Sequence, residues 1–485
     1  MRSTKPQGAW TTSWGGDLAR LVIVSNRVRL PNDRSAQAGG LAVALREALR
    51  RPGGVWFGWS GQVVDGEAAA PRDVVSGRVR YVTVDLSRTD HAQFYVGYAN
   101  STLWPLLHFR LGLLEYKRPE FEGYLRVNAR FAALLAPHLE PDDLVWVHDY
   151  HFIPLAAELR KRGVTNRIGF FLHTPFPSAD VLVALPHHDT LLRALCTYDL
   201  VGFQTDMAKH AFLDGVVTLA QGTRRDDGGF EAYGLRGRAA TFPIGIDAKG
   251  FADLAQRASN SAETQQLKES LAQRKLVIGV DRLDYSKGIP NRFNAIDNLL
   301  STWPERRRAF NYLQITPHSR GEVSQYRDLR RQLEATAGRI NGQFAEFDWS
   351  PIRYINRSFT RATLAGFYRL ARIGLVTPFR DGMNLVAKEF VAAQDPKDPG
   401  VLVLSQLAGA AQELQTALIV NPFDIDEIAA ALNRALGMSI EERRDRWAEM
   451  SGAVFRNTIS TWHQSFIAAL RTAASASVEA SVAES

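Results

Sequence analysis

Leu144-Val145-Trp146-Val147-His148-Asp149-Tyr150-His151 is a run of apolar, β-branched and aromatic residues that stops abruptly at imidazoles and a carboxylate. A run of this length and composition reads as a strand buried on both faces, so the polar cluster falls at its carboxyl end. Working outward, similar runs occur at Leu21 to Val24, Val55 to Phe57, Val79 to Val84 and Ile168 to Leu172, with longer amphipathic segments between them. The alternation predicts an α/β unit on a parallel sheet. It resumes at Leu276 to Val280, Tyr312 to Ile315, Ile373 to Val376, Val401 to Leu404 and Ala417 to Val420, which predicts a second doubly wound sheet.

The chain has 485 residues, beyond the roughly 250–300 at which one hydrophobic core stops growing. The expected division is a flexible extension over 1–20, a first Rossmann-like domain over 21–245, a second over 246–452, a helix over 453–474 packing back on the first domain, and a disordered Ala/Ser/Glu tail over 475–485. The boundary is set by Phe242-Pro243-Ile244-Gly245-Ile246-Asp247, with a polar helical stretch from Ser259 to Gln273 after it. Two helical patterns are expected after Asn421-Pro422-Phe423, the second over Ala453 to Ala474.

Lys and Arg number 58 against 51 Asp and Glu, a net +7 that favours anionic partners without choosing between nucleic acid and phosphorylated metabolites. Arg306-Arg307-Arg308 and Arg330-Arg331 come without a stacking aromatic array, so they read as solvated helix or turn faces and no nucleic-acid partner is expected. Cys196 is the single cysteine, which excludes a disulfide framework within the chain and fits a reducing compartment. No apolar run reaches the ~18 residues of a membrane span and none near the start suits a signal peptide, so a cytoplasmic protein with no membrane partner is expected.

Motifs directly after strands carry the chemistry, because open α/β sheets bind ligands beyond the carboxyl ends of their strands. Ser25-Asn26-Arg27 follows the first strand, and Ala38-Gly39-Gly40-Leu41-Ala42 opens a helix whose bare amides suit an anion. A plain tight turn would read the same way. The pattern is neither a Walker A loop nor G-x-G-x-x-G, which removes support from kinases and dehydrogenases. His173-Thr174-Pro175-Phe176-Pro177 follows another strand, bringing His173 and Asp149 to one crevice, where they could bind sugar hydroxyls or move a proton. His148 and His151 as metal ligands would be an isolated pair, a weak signal, and no metal is expected.

In the second half, Asp281-Arg282-Leu283-Asp284-Tyr285-Ser286-Lys287-Gly288 places two cations at a strand end, as a departing diphosphate requires in the absence of a metal. A capped helix start with a surface ion pair is the plainer account. Phe379-Arg380-Asp381-Gly382-Met383-Asn384-Leu385-Val386-Ala387-Lys388-Glu389 follows a further strand; Gly382 frees the backbone for close approach, and Asp381 and Glu389 suit sugar and ribose hydroxyls.

These segments, with Gly58-Trp59-Ser60-Gly61, Leu103-Trp104-Pro105, Ser319-Arg320-Gly321 and Gly338-Arg339-Ile340-Asn341-Gly342, resemble the trehalose-6-phosphate synthase family from about Leu21 to about Ala474. The resemblance implies the glycosyltransferase B fold, two Rossmann-like domains facing across a cleft. It implies transfer of glucose with retention from a nucleotide-sugar, UDP-glucose being the expected donor, to glucose 6-phosphate, and no cofactor.

By the same resemblance Arg27, Tyr95, Trp104, Trp59 (with Trp56 as the other candidate) and Arg320 hold the acceptor phosphate, and Asp149 holds acceptor hydroxyls. His173 contacts donor glucose, Arg282 and Lys287 the diphosphate, and Gly40 offers an amide to the same region. Asp381, in the run Asp381-Gly382-Met383-Asn384, contacts donor glucose; Leu385 and Val386 present amides near the phosphates, Glu389 meets the ribose and Phe359 borders the base. Front-face substitution then makes Arg282 and Lys287 the charge-stabilising pair, with Asp149 and His173 orienting the substrates. Other readings are a GDP-glucose donor, a pseudo-glycosyltransferase, a glycan phosphorylase and a non-catalytic sugar-phosphate sensor. The last should have lost Arg282, Lys287, Asp149 or Glu389, all of which are present. A homo-oligomer, dimer or tetramer, fits the pattern. The chain leaves no room for a phosphatase domain, so a separate phosphatase is expected downstream.

Overall fold

The structure is a computed structural model that describes residues 19–31, 40–50, 53–66, 70–317 and 324–473. Arg320, the loop before Gly40, and the expectations for 1–18 and 475–485 lie outside these residues. Arg20, assigned above to a flexible extension, is instead tied down: its guanidinium donates to both carboxylate oxygens of Asp143 at 2.9 and 2.7 Å.

Ten strands form the first sheet: β1 (Leu21–Arg27), β2 (Gly54–Val64), β3 (Arg72–Ser76), β4 (Val79–Ser87), β5 (Leu144–His148), β6 (Arg167–Phe171), β7 (Leu200–Phe203), β8 (Thr223–Arg224), β9 (Gly229–Ala232) and β10 (Leu235–Thr241). Their order is β3-β4-β2-β1-β5-β6-β7-β10-β9-β8. The seven central strands run parallel, while β3, β8 and β9 pair antiparallel at the edges. Every residue of β5 is buried, as its unbroken apolar run requires.

The second sheet contains β11 (Lys275–Val280), β12 (Phe310–Ile315), β13 (Ile352–Ile355), β14 (Ile373–Val376), β15 (Val401–Ser405) and β16 (Leu418–Val420). All six are parallel, in the order β13-β12-β11-β14-β15-β16, the doubly wound 3-2-1-4-5-6 pattern.

The last part of the chain differs from expectation. The segment after Asn421 holds three helices, Ile425–Gly437, Ile440–Arg456 and Ile459–Thr472, because Asn457 breaks the pattern read as one helix and Thr458 caps the next. The Arg306-Arg307-Arg308 run lies in a turn with Arg307 and Arg308 exposed, as a solvated face requires, while Arg306 donates to Asn433, Arg307 lies over Phe344 and Arg308 pairs with Asp348 at 2.6 Å. The last helix lies against the first sheet, with Phe466 stacked on Trp146 at 4.6 Å and Trp462 edge-on to Phe171 at 5.2 Å. The chain passes between the sheets at Phe242 to Asp247 and returns beside it, where Ile246 bridges Thr458.

Candidate active site

Each sheet reverses its winding at one place, between β1 and β5 in the first and between β11 and β14 in the second. Ligands of open α/β sheets gather outside the carboxyl ends of the strands at such switch points. Arg27 and Asp149 leave the first, and Arg282, Lys287 and Asp381 leave the second.

On the first side, Arg27 pairs in register with Trp59, and its guanidinium carbon lies 5.4 Å from that ring. Gly61, at φ +88°, makes this possible: a Cβ there would lie 1.8 Å from the guanidinium carbon. Trp59 contacts Tyr95 at 5.2 Å, and Tyr95 stacks on His151 at 5.9 Å. Trp56 sits in the core, fully buried, with its Nε1 donating to Ser25 Oγ at 2.8 Å. Tyr95 stands on a π-helix, His91–Leu103, whose wide turns are uncommon and concentrate at functional sites.

Asp149 holds φ 75°, a conformation that costs a non-glycine residue about 1–3 kcal/mol and persists where the surroundings over-determine it. Its N–H donates to Phe171 O at 2.8 Å, and its Oδ1 accepts from the His173 backbone at 3.3 Å. Gln204 Oε1 accepts from the Ile244 N–H, which turns the Gln204 amide nitrogen toward His173 Nδ1 at 3.3 Å. Burial pushes the His173 pKa down to about 3, so the ring is neutral and carries its proton on Nε2, donating to His148 Nδ1 at 3.1 Å. Both nitrogens are thus engaged within the protein, and contact with a sugar hydroxyl through either requires exchange of one partner. His148 turns toward His173 and His151 toward Tyr150; among the described residues no group of three or more His, Cys, Asp or Glu side chains gathers to hold a metal ion.

On the second side Arg282 is exposed, and Lys287 Nζ lies 2.6 Å from Asp381 Oδ2. Burial raises the Asp381 pKa, but the Lys287 charge and hydrogen bond outweigh it and hold the carboxyl below its usual range. Asn384, at φ 80°, caps helix Leu385–Ala393 by accepting from the Ala387 N–H, so the amides of Leu385 and Val386 open the helix beside the site. Met383 is buried beneath the loop. Gly382 packs so tightly on His173 that a Cβ would lie 1.9 Å from the His173 carbonyl oxygen. Burial pushes Glu389 up to about 7, with Arg361 opposing. Phe359, further out, packs on Phe367 and lies under Arg357. Gly40 opens helix Gly40–Arg50.

The two sides meet at Trp104. Its Nε1 donates to Asp284 Oδ1 at 3.3 Å, and the Arg282 guanidinium carbon lies 5.8 Å from its ring. His108 stacks on the same ring at 4.0 Å and bonds Trp104 O through Nδ1 at 2.8 Å. Burial lowers its pKa to about 4, so it is neutral near pH 7. Sequence reasoning missed His108, Gln204 and Arg292. Arg292, fully buried, donates to Thr377 Oγ1 and Lys287 O at 2.9 Å each and pairs with Asp281, supporting the Lys287 loop from beneath. No local spacing marks these three: the Trp104 O contact of His108 is one any helix offers, and Gln204 and Arg292 find Ile244 and Thr377 far along the chain.

The profile of Glycosyltransferase family 20 matches residues 19–472. The trehalose-6-phosphate synthase of Enterobacter sp. (strain 638) is 48% identical over 467 residues, covering 96% of this chain and 98% of the relative. An alpha,alpha-trehalose-phosphate synthase (UDP-forming) from Burkholderia xenovorans, solved in complex with glucose-6-phosphate, superposes with TM-score 0.91 at 49% identity, covering 93% of this chain and all of that one. A structure from E. coli bound with UDP-2-fluoro glucose gives TM-score 0.89 at 48% identity over 94% of this chain and 99% of that one. Matched along nearly its whole described length, with two facing doubly wound sheets of the glycosyltransferase B fold, the chain belongs to glycosyltransferase family 20.

Proposed function

We infer that the protein is a UDP-forming alpha,alpha-trehalose-phosphate synthase, transferring glucose from UDP-glucose to glucose 6-phosphate. The observation that carries this reading is the position of Trp104. A ring from the first sheet's side, beside the proposed acceptor residues, lies under Arg282 and bonds the loop that carries Lys287, so acceptor and diphosphate sites share one wall.

Arg27, Trp59, Tyr95 and Trp104, with Arg320, receive the acceptor phosphate, and Asp149 receives its hydroxyls. Asp381 through Asn384 and His173 hold the donor glucose, the amides of Leu385 and Val386 with Gly40 the phosphate region, Glu389 the ribose, and Phe359 the base. Arg282 and Lys287 stabilise the charge that grows on the diphosphate as the glycosidic bond breaks. Departing phosphate oxygen takes the acceptor hydroxyl's proton on the face where the hydroxyl attacks, and this gives retention. Double displacement would need a carboxylate at the far face of the sugar. Asp149 is engaged with the His173 backbone and Asp381 with Lys287, so both orient rather than attack.

The two chain crossings at Ile246 and Thr458 support a domain boundary near residue 245. Among the described residues no helix is long and apolar enough to cross a membrane, and phosphorylated substrates fit a cytoplasmic location. The product keeps its phosphate, so a separate phosphatase acts next. A homo-oligomer, dimer or tetramer, is compatible with this reading.

The test offers UDP-, GDP- and ADP-glucose with glucose 6-phosphate and measures nucleotide release and disaccharide phosphate. Turnover with UDP-glucose is expected; turnover with GDP-glucose alone would reassign the donor, and none with any donor would end the reading.

A further inference from the structure

The turn that follows Trp104 belongs to the first sheet's side, yet its tip is seated in the second. Phe109 and Arg110 meet Phe379 and Arg380 as a crossed pair. The Arg380 guanidinium carbon stands 3.7 Å from the Phe109 ring centroid, and the Arg110 guanidinium carbon stands 5.2 Å from the Phe379 ring centroid. Each dipeptide supplies one ring and one cation, and each cation lies over the other's ring.

Both halves are built to hold still. Arg110 N donates to Pro105 O at 2.8 Å and Phe109 N to Leu106 O at 3.0 Å, winding the tip back on its own helix. Phe109 has φ 58°, a left-handed conformation that a bulky residue rarely adopts and that persists where contacts impose it. Opposite, Phe379 N donates to Ser286 O at 2.8 Å, and its ring stacks on Phe423 at 4.7 Å. Arg380 is the more telling member. Burial pushes its pKa down, its Nε has no hydrogen-bond partner among the described residues, and its Nη2 reaches Met207 Sδ at 3.6 Å. A partly desolvated cation gains most from an aromatic face, and the Phe109 ring provides one.

Arg380 immediately precedes Asp381, so whatever fixes Arg380 fixes the start of the loop that ends at Asn384. We propose that Phe109 and Arg110 are positioning residues for the sugar-nucleotide site: they hold the Phe379 to Asn384 loop in register with Lys287 and His173 without touching substrate. This rests on reading that loop as the donor site. The acceptor residues Arg27, Trp59 and Tyr95 stand on the first sheet's own strand ends and π-helix, and Trp104, which opens the tip's own helix, has its ring held separately by Asp284 and His108, so the effect falls chiefly on the donor.

The test uses the full chain with Phe109→Leu, Phe109→Tyr, Arg380→Met, Arg110→Met and the double variant Phe109→Leu/Arg380→Met. UDP affinity is measured by calorimetry, which needs no turnover, and KM is measured for UDP-glucose and glucose 6-phosphate. Phe109→Leu and Arg380→Met are each expected to weaken UDP binding by about three- to tenfold, as loss of a cation–ring contact implies, with the acceptor KM nearly unchanged. Phe109→Tyr keeps the ring and is expected to bind as the parent does. The double variant is expected to be no weaker than either single one, because the two side chains act as one contact. Arg110→Met, at a half-buried site, reports the same effect should Phe109→Leu fail to fold. Additive losses in the double variant, failure of Phe109→Tyr, equal rises in both KM values, or unchanged UDP affinity would each overturn the proposal. UDP binding without sugar transfer would instead overturn the function proposed above and leave the crossed pair to be judged on the titrations.

Discussion

Lys287 Nζ and Asp381 Oδ2 meet at 2.6 Å across the second switch point, so the residue proposed to neutralise the diphosphate and the one proposed to hold the donor sugar are halves of a single ion pair. Entry of a diphosphate gives the ammonium a second anion to share. Lys287→Met is therefore expected to lower kcat by about a hundredfold or more, the scale for losing one preorganised charge at a transition state. Asp381→Asn, which leaves the cation in place, is expected to act mainly on the UDP-glucose KM. Steady-state kinetics with each substrate varied checks both, and a Lys287→Met enzyme with parental kcat would refute the charge assignment.

Metal chelation is expected to leave the rate unchanged, since Arg282 and Lys287 are placed to supply the charge that a divalent ion supplies elsewhere. The check is initial velocity with and without EDTA. A loss that magnesium or manganese restores would count against the role of those two cations.

Arg27→Ala and Arg320→Ala are each expected to weaken glucose 6-phosphate binding by ~1.5–3 kcal/mol, the value of a charged hydrogen bond, which is roughly ten- to hundredfold in KM. Unphosphorylated glucose, tested as acceptor, should be little affected. Equal losses with both acceptors would place these arginines in the fold or the donor site.

Glu389 gives a pH signature. Its carboxyl is raised to about 7 by burial, so between the usual carboxylate range and pH 7 the folded chain binds more proton than the unfolded chain does. Stability is then lost from this group as pH rises through that window, by about 1–3 kcal/mol. Glu389→Gln removes the titration, so the variant's melting temperature, compared with the parent's, should gain between pH 5 and pH 7.5. A constant difference across that range would contradict the raised value.

Lys388, its side chain fully buried, donates to Ile244 O at 2.8 Å and to Glu413 Oε1 at 2.6 Å, while Glu413 Oε2 accepts from Asn457 at 2.6 Å. The pair thus ties together both crossings of the chain between the sheets. Removing one partner leaves a buried charge, so Lys388→Met is expected to destabilise by about 3–5 kcal/mol, and Lys388→Met/Glu413→Leu by less. Denaturant unfolding of the three proteins measures this; a double variant worse than the single one would argue against charge burial as the cause.

The two sheets were readable because buried parallel strands announce themselves as unbroken apolar runs, and the motifs because they follow those runs directly. Strands β7, β10 and β13 escaped because β7 is only four residues long with Gly202 inside it, and because Arg236, Arg238 and Arg353 interrupt the apolar runs of the other two; the antiparallel edge strands β3, β8 and β9 are too short or too polar to stand out. The break at Asn457 lacks glycine or proline, and the π-helix at His91–Leu103 has no sequence period of its own. Candidate residues at strand ends follow from the strands themselves, but Trp104 finds Asp284 across 180 residues, and Gln204 aligns His173 through a backbone amide at Ile244. Such partners depend on how strands are ordered, which local spacing does not encode.

The final helix has a consequence for how the protein is made. Phe466 fills the space left by Gly169 and Gly202, where a Cβ would lie 2.8 and 2.7 Å from its ring, and it stacks on Trp146 while Trp462 covers Phe171. Those surfaces belong to strands synthesised some three hundred residues earlier. During translation the first sheet must therefore wait, with part of its apolar face bare, until the last helix has left the ribosome. Its two halves are separate in space but not in time: the part made first is completed last, which makes the nascent chain most exposed to aggregation and to chaperones while the second sheet is still being formed.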